Sequence, residues 1–139
     1  MQSIDDMLNK FYNIRVKGVN THLPNAPYTF STANFPLLFV RNFKFNLNYE
    51  GNLSNSLAAS SSLTLSSGEA QVVVVIEAFK QGTSVQNYTK SREIISNLAD
   101  AFLASGLLVD SDGIEIREDF ESTGDTVLFV VIADVSFYL

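Results

Sequence analysis

Residues 126–139 read Thr-Val-Leu-Phe-Val-Val-Ile-Ala-Asp-Val-Ser-Phe-Tyr-Leu, and this stretch decides the fold. In an extended chain Val127, Phe129, Val131, Val135 and Phe137 fall on one face, and Leu128, Val130, Ile132 and Tyr138 on the other. A strand apolar on both faces is central in its sheet or meets another protein. Gly124-Asp125 makes a turn before it, and residues 113–121 alternate ahead of that turn. Ile114, Ile116 and Phe120 face one side; Glu115, Arg117, Asp119 and Glu121 face the other. Together the two stretches predict a hairpin. Glu118 breaks the pattern by falling with Ile116 and Phe120. An inward acid suggests an edge strand, a basic partner or a broken register.

Working back along the chain, residues 85–105 carry a helical stripe of Val85, Tyr88, Ile95, Leu98 and Phe102, with Ile94 and Ala101 beside it and Gly106 as the stop. Residues 69–81 predict a strand whose run Val72–Ile76 is apolar on both faces. Residues 37–50 predict another. Phe39, Phe43, Phe45, Leu47 and Tyr49 point one way, Val40, Asn42, Lys44, Asn46 and Asn48 the other, and Arg41 interrupts the apolar face. Residues 3–17 read as a helix capped by Ser3, with Asp5 and Asp6 where the dipole favours acids. All three prolines lie in 19–36, which predicts an irregular extended stretch.

Between two strands that should pair lies a long Ser-rich stretch, residues 51–68, with Leu53, Leu57, Leu63 and Leu65. It predicts a long hairpin loop, or an arm that orders against a neighbouring subunit and so buries those leucines. The order α-β-β-α-β-β predicts a single α+β domain over 1–139. Its expected core is a four-stranded antiparallel or mixed sheet with a long helix on one face.

The charge is uneven. Residues 1–68 hold five basic and three acidic groups, net +2, whereas residues 69–139 hold four basic and twelve acidic groups, net −8. An acidic domain does not attract a phosphate backbone, so direct nucleic-acid binding is disfavoured. The asymmetry fits a protein that meets copies of itself or a basic partner. Glu115, Asp119 and Glu121 are the candidate acidic face, lining a lumen or meeting a partner. With no cysteine, disulfides, thiolate metal sites and Cys nucleophiles are excluded. The N-terminus is acidic where a signal peptide is basic, and the apolar runs Val72–Ile76 and Val127–Ala133 are too short to span a bilayer. No membrane partner is expected.

No constellation for covalent chemistry stands out, and no cofactor, metal or catalytic residue is expected. His22 is the single histidine and lies among prolines and asparagines, so a triad lacks its base. Asp110-Ser-Asp112-Gly113 with Glu121 hints at a calcium loop. Its glycine stands at position four rather than six, Ile114 replaces a ligand, and a strand follows. A turn leading into a strand is the simpler reading.

The order of elements resembles the tail-terminator (tail-completion) proteins of long-tailed bacteriophages, the lambda-like group. The features that carry it are the short N-terminal helix and a proline-bearing stretch reaching Phe35-Pro-Leu-Leu-Phe39. A hairpin with a long internal loop follows. Val75-Ile-Glu77 then leads to a helix with Asn97-Leu-Ala-Asp-Ala-Phe102, and a final hairpin completes the order. The resemblance implies a ring, commonly a hexamer, that caps the last ring of the tail tube, stops its growth and joins the tail to the head connector. Its implied partners are further copies of itself, the major tail-tube protein and a head-completion protein, with DNA passing through but not specifically bound. Its implied place is the virion tail or neck, after assembly in the host cytoplasm. Other neck or minor tail ring proteins share the layout. A small ligand- or peptide-binding module using the apolar sheet face is a second class, and an enzyme using the acidic turn a third.

Overall fold

The computed structural model describes residues 4–22, 34–50, 62–80, 82, 88–107 and 109–138. The elements are α1 (Ile4–Tyr12), β1 (Asn20–Thr21), β2 (Leu37–Glu50), β3 (Ser62–Lys80), α2 (Tyr88–Ser105), β4 (Val109–Thr123) and β5 (Thr126–Tyr138). The strands form one sheet in the order β1-β2-β3-β5-β4. Every junction is antiparallel except β1 with β2, which is parallel.

This corrects the expected fold class. The sheet has five strands rather than four and dominates the chain: four strands hold 14, 19, 15 and 13 residues, against helices of 9 and 18. Two causes account for the difference. A two-residue strand forms inside the proline-bearing stretch, where Asn20 N–H donates to the Pro36 carbonyl (2.9 Å) and His22 N–H to that of Leu38 (2.8 Å). In addition, 62–68 continues β3 rather than looping, with Glu50 opposite Ser62 and Phe45 opposite Gly68. The helix α1 ends at Tyr12 rather than 17. Arg15 donates from Nη1 to the freed carbonyls of Tyr12 (2.7 Å) and Ile14 (3.0 Å), a cationic cap where the dipole favours one. The expected start of α2 at 85–87 lies outside the described residues.

Both helices cover one face of the sheet. Met7 and Phe11 of α1, then Ile14 and Val16, join Ile94, Leu98 and Phe102 of α2 over Val72, Val74, Phe129, Val131, Val135 and Phe137. The stripe that α2 buries runs through Ser91, Ile94, Leu98 and Phe102, while Tyr88 stays half exposed with its ring against Phe129. The opposite face carries Val73, Val75, Leu128, Val130 and Ile132 with Phe35 and Phe39 beside them. β5 therefore sits between β3 and β4 with both faces buried, as its double apolar pattern requires.

The single apolar face read for 37–50 is split by a bulge. Arg41 pairs with Gln71 but Lys44 with Glu69, so β2 has one residue too many there, and Asn42 adopts φ 57°. Asn tolerates this left-handed conformation better than most residues. One extra residue inverts the alternation. Val40, Phe43 and Phe45 thus all face the helices, and Phe39 faces away.

Glu118 has the explanation its position suggested. β4 is an edge strand, and the carboxylate accepts from Ser91 Oγ (2.6 Å) and from Arg92 Nη2 (3.2 Å) on α2. Ser91 is fully buried, whereas two-thirds of the Arg92 side chain is exposed. Glu118→Ala is expected to lower unfolding stability by about 1 kcal/mol, because the charge-assisted bond from the buried Ser91 hydroxyl is lost and only the Tyr88 carbonyl (2.8 Å) is left to accept from it. Arg92→Ala should cost below about 0.5 kcal/mol, as solvent-screened pairs do. Urea melts of the two variants check the difference.

Candidate assembly surface

The face opposite the helices carries a row of polar side chains in register across four strands. Arg41 on β2 stands opposite Gln71 on β3, Gln71 opposite Asp134 on β5, and Asp134 opposite Glu115 on β4. Arg41 Nε donates to Gln71 Oε1 (2.9 Å), and Gln71 Nε2 donates to Asp134 Oδ1 (2.8 Å). Asp134 also pairs with Arg117. Arg41 forms a two-pronged ion pair with Glu121, its Nη1 reaching Oε2 at 3.0 Å. Hydrogen bonding to Glu121 raises the guanidinium pKa above its ordinary value, with smaller help from the charges of Glu121, Asp134 and Asp119 against the cost of burial.

The Arg41–Glu121 pair has a geometric consequence. β3 and β5 lie between β2 and β4, and Glu121 lies six residues along β4 from Glu115, the residue level with Arg41, so in a flat sheet the two backbones would be about 14 Å apart across the strands and about 20 Å apart along them. The side chains meet because the sheet curls toward this face. The clasp closes over Val73, Val75, Leu128, Val130 and Ile132, which are at most 3% exposed.

The members of the candidate acidic face differ in their surroundings. Glu115, Asp119 and Glu121 share the concave side with Arg117 and Asp134. Glu121 is spent on Arg41, and Asp119 lies 3.8 Å from Arg117. Glu115 is exposed and makes no ion pair among the described residues. Of the expected arm, Leu53 and Leu57 lie outside the described residues. Leu63 and Leu65 lie in β3 opposite Tyr49 and Leu47, and their side chains are outside what the structure describes. Ser62-Leu-Thr-Leu-Ser66 does alternate, with a β-branched Thr64 at its centre, and that was the signal for a strand. The Asp110–Gly113 segment falls in the irregular part of β4, between the pairs Val109–Phe137 and Ile114–Val135. Among the described residues no group of three or more potential ligands is placed to hold a metal ion, and no helix is long and apolar enough to cross a membrane.

Searched against family models, curated proteins and solved structures, the chain finds no match. Sequence reading missed two features of the surface. One is the apolar groove between α2 and β4, lined by Ala99, Phe102, Leu103, Leu107, Ile114 and Ile116, where Leu103 is 85% exposed. The other is the pair of open strand edges. Among the described residues β4 is paired on one side only along its whole length, and β2 has a second partner only at Leu37 and Leu38.

Proposed function

We propose that this protein is a structural ring subunit of a long-tailed bacteriophage, capping the tail tube and joining it to the head connector. One observation supports the ring. The sheet has both faces of its centre buried and two long edges left open, and unpaired strand edges are templates for another chain. Different edges at the two ends of one sheet suit head-to-tail contacts, which give a ring where the rotation between copies closes. The assignment to a tail rests on the resemblance in element order. The long elements run α1-β2-β3-α2-β4-β5. Under this reading the chain acts by assembly and performs no covalent chemistry.

The test is co-expression with the major tail-tube protein from the same genome, followed by negative-stain imaging. The expected result is tubes of defined length with a ring at one end, and free rings when the protein is expressed alone. Tubes that grow without limit, alongside a protein that stays monomeric at all concentrations, would overturn the reading.

A further inference from the structure

The open edges carry opposite charge. β2 holds Arg41, Lys44 and Glu50, net +1; β4 holds one arginine against six acidic residues, net −5. The sheet order thus places the two halves of the chain's charge asymmetry at its two ends. Resting on the ring reading above, we propose that copies join head to tail, the outer edge of β4 in one copy pairing antiparallel with the outer edge of β2 in the next.

Strand direction follows from topology. β2 runs against β3, β3 against β5 and β5 against β4, so β2 and β4 are antiparallel within one copy. A neighbour generated by rotation about an axis along the strands keeps those directions. Its β2 then meets β4 antiparallel, the same pairing as the sheet's other long junctions. Charge separates this contact from its rivals. Two β4 edges would set six acids per strand against six more, and like charges opposite each other across a strand pair destabilise it. The β4–β2 junction brings unlike edges together.

Lys44 and Glu115 mark the junction. Lys44 is level with Glu69, and Glu115 with Asp134 and Gln71, so the two lie one row apart on the concave face at opposite ends of the sheet. Both are exposed, and neither is in an ion pair among the described residues. Between copies Lys44 of one would stand diagonally across the new junction from Glu115 of the other, within reach of a long side chain.

The chain has no cysteine, so introduced thiols report alone. The Lys44→Cys, Glu115→Cys double variant is treated with a bismaleimide long enough to tolerate a shift of a few residues, and light scattering is run in parallel. The expected result is a ladder of covalent oligomers from the double variant, with neither single variant passing beyond a trace of dimer. Swapping the charges supplies a second readout. Lys44→Glu or Glu115→Lys alone should weaken assembly at least about tenfold, and the two together should restore most of it, with circular dichroism confirming that each variant folds. Rings by light scattering without a ladder, and without rescue, would overturn the edge pairing while leaving the ring reading intact. Efficient dimers from Glu115→Cys alone would overturn it in favour of like-edge pairing. A monomer under all conditions would overturn both.

Discussion

Gly68→Val is expected to cost about 3 kcal/mol of unfolding stability, near the top of the range for overpacked sites, and to lower the melting temperature by about 10 °C. The reason is space. A Cβ at Gly68 would lie 2.4 Å from the Lys44 carbonyl oxygen and 2.5 Å from Cζ of Phe137. The carbonyl belongs to the β2 backbone, in the pairing that holds Phe45 opposite Gly68, so it cannot retreat without opening the hairpin. The ring cannot retreat either. Phe137 is fully buried, edge-on to Phe11 at 5.3 Å and to Phe45 at 6.3 Å. Gly68 has no positive φ, so the penalty comes from collision and not from backbone conformation. Gly68→Ala should already show most of the loss. Thermal melts by differential scanning calorimetry check both.

Arg41→Ala is expected to cost about 2–3 kcal/mol. Its removal leaves Glu121 without its ion-pair partner, takes one donor from Gln71 Oε1 and uncovers the valines beneath. The side chain is 28% exposed, which keeps the loss below that of a wholly buried pair. A double-mutant cycle with Glu121→Ala should return a coupling of about 1–2 kcal/mol. Arg41→Lys should recover only part of the loss, since an ammonium cannot make the two-pronged contact. Urea denaturation of the four chains of the cycle checks it. Additive losses would mean that the clasp adds nothing to stability and the sheet curls without it.

How much of this was legible in the sequence follows from the range of each interaction. The strands at 37–50 and 126–138 and the Gly124-Asp125 turn depend on local alternation and turn chemistry, and both are written in neighbouring residues. The inward Glu118 was legible as an exception, and its edge position and arginine answer it. Arg41 was legible as an interruption, but its partner lies 80 residues away on a strand that only the curl of the sheet brings near. The inverted face of β2 was not legible, because a bulge is set by the pairing with β3 and leaves only an asparagine as its trace. β1 was missed for a related reason. It is two residues long and made by backbone bonds to Pro36 and Leu38, with no side-chain period to read. The helix α1 stops early although Ile14 and Val16 continue the apolar signal, since both reach the core from non-helical backbone. Of the site, the charge split was plain in composition. That it maps onto the two ends of one sheet follows from the strand order, which no local pattern encodes.

The central claim is that the open edges of β2 and β4 are the surface through which this chain works. Amide hydrogen exchange, followed by mass spectrometry at dilute and at concentrated protein, tests it most directly. In a lone subunit the outward amides of 39–50 and 109–123 have no neighbouring strand to donate to among the described residues and should exchange fast, Phe120 excepted, whose amide donates to Asp119 Oδ1 (2.8 Å). With rising concentration, protection should grow in those two segments together and nowhere else in the sheet. Protection that appears instead along α2 at the Leu103 groove, with both edges exchanging as fast as before, would contradict the account.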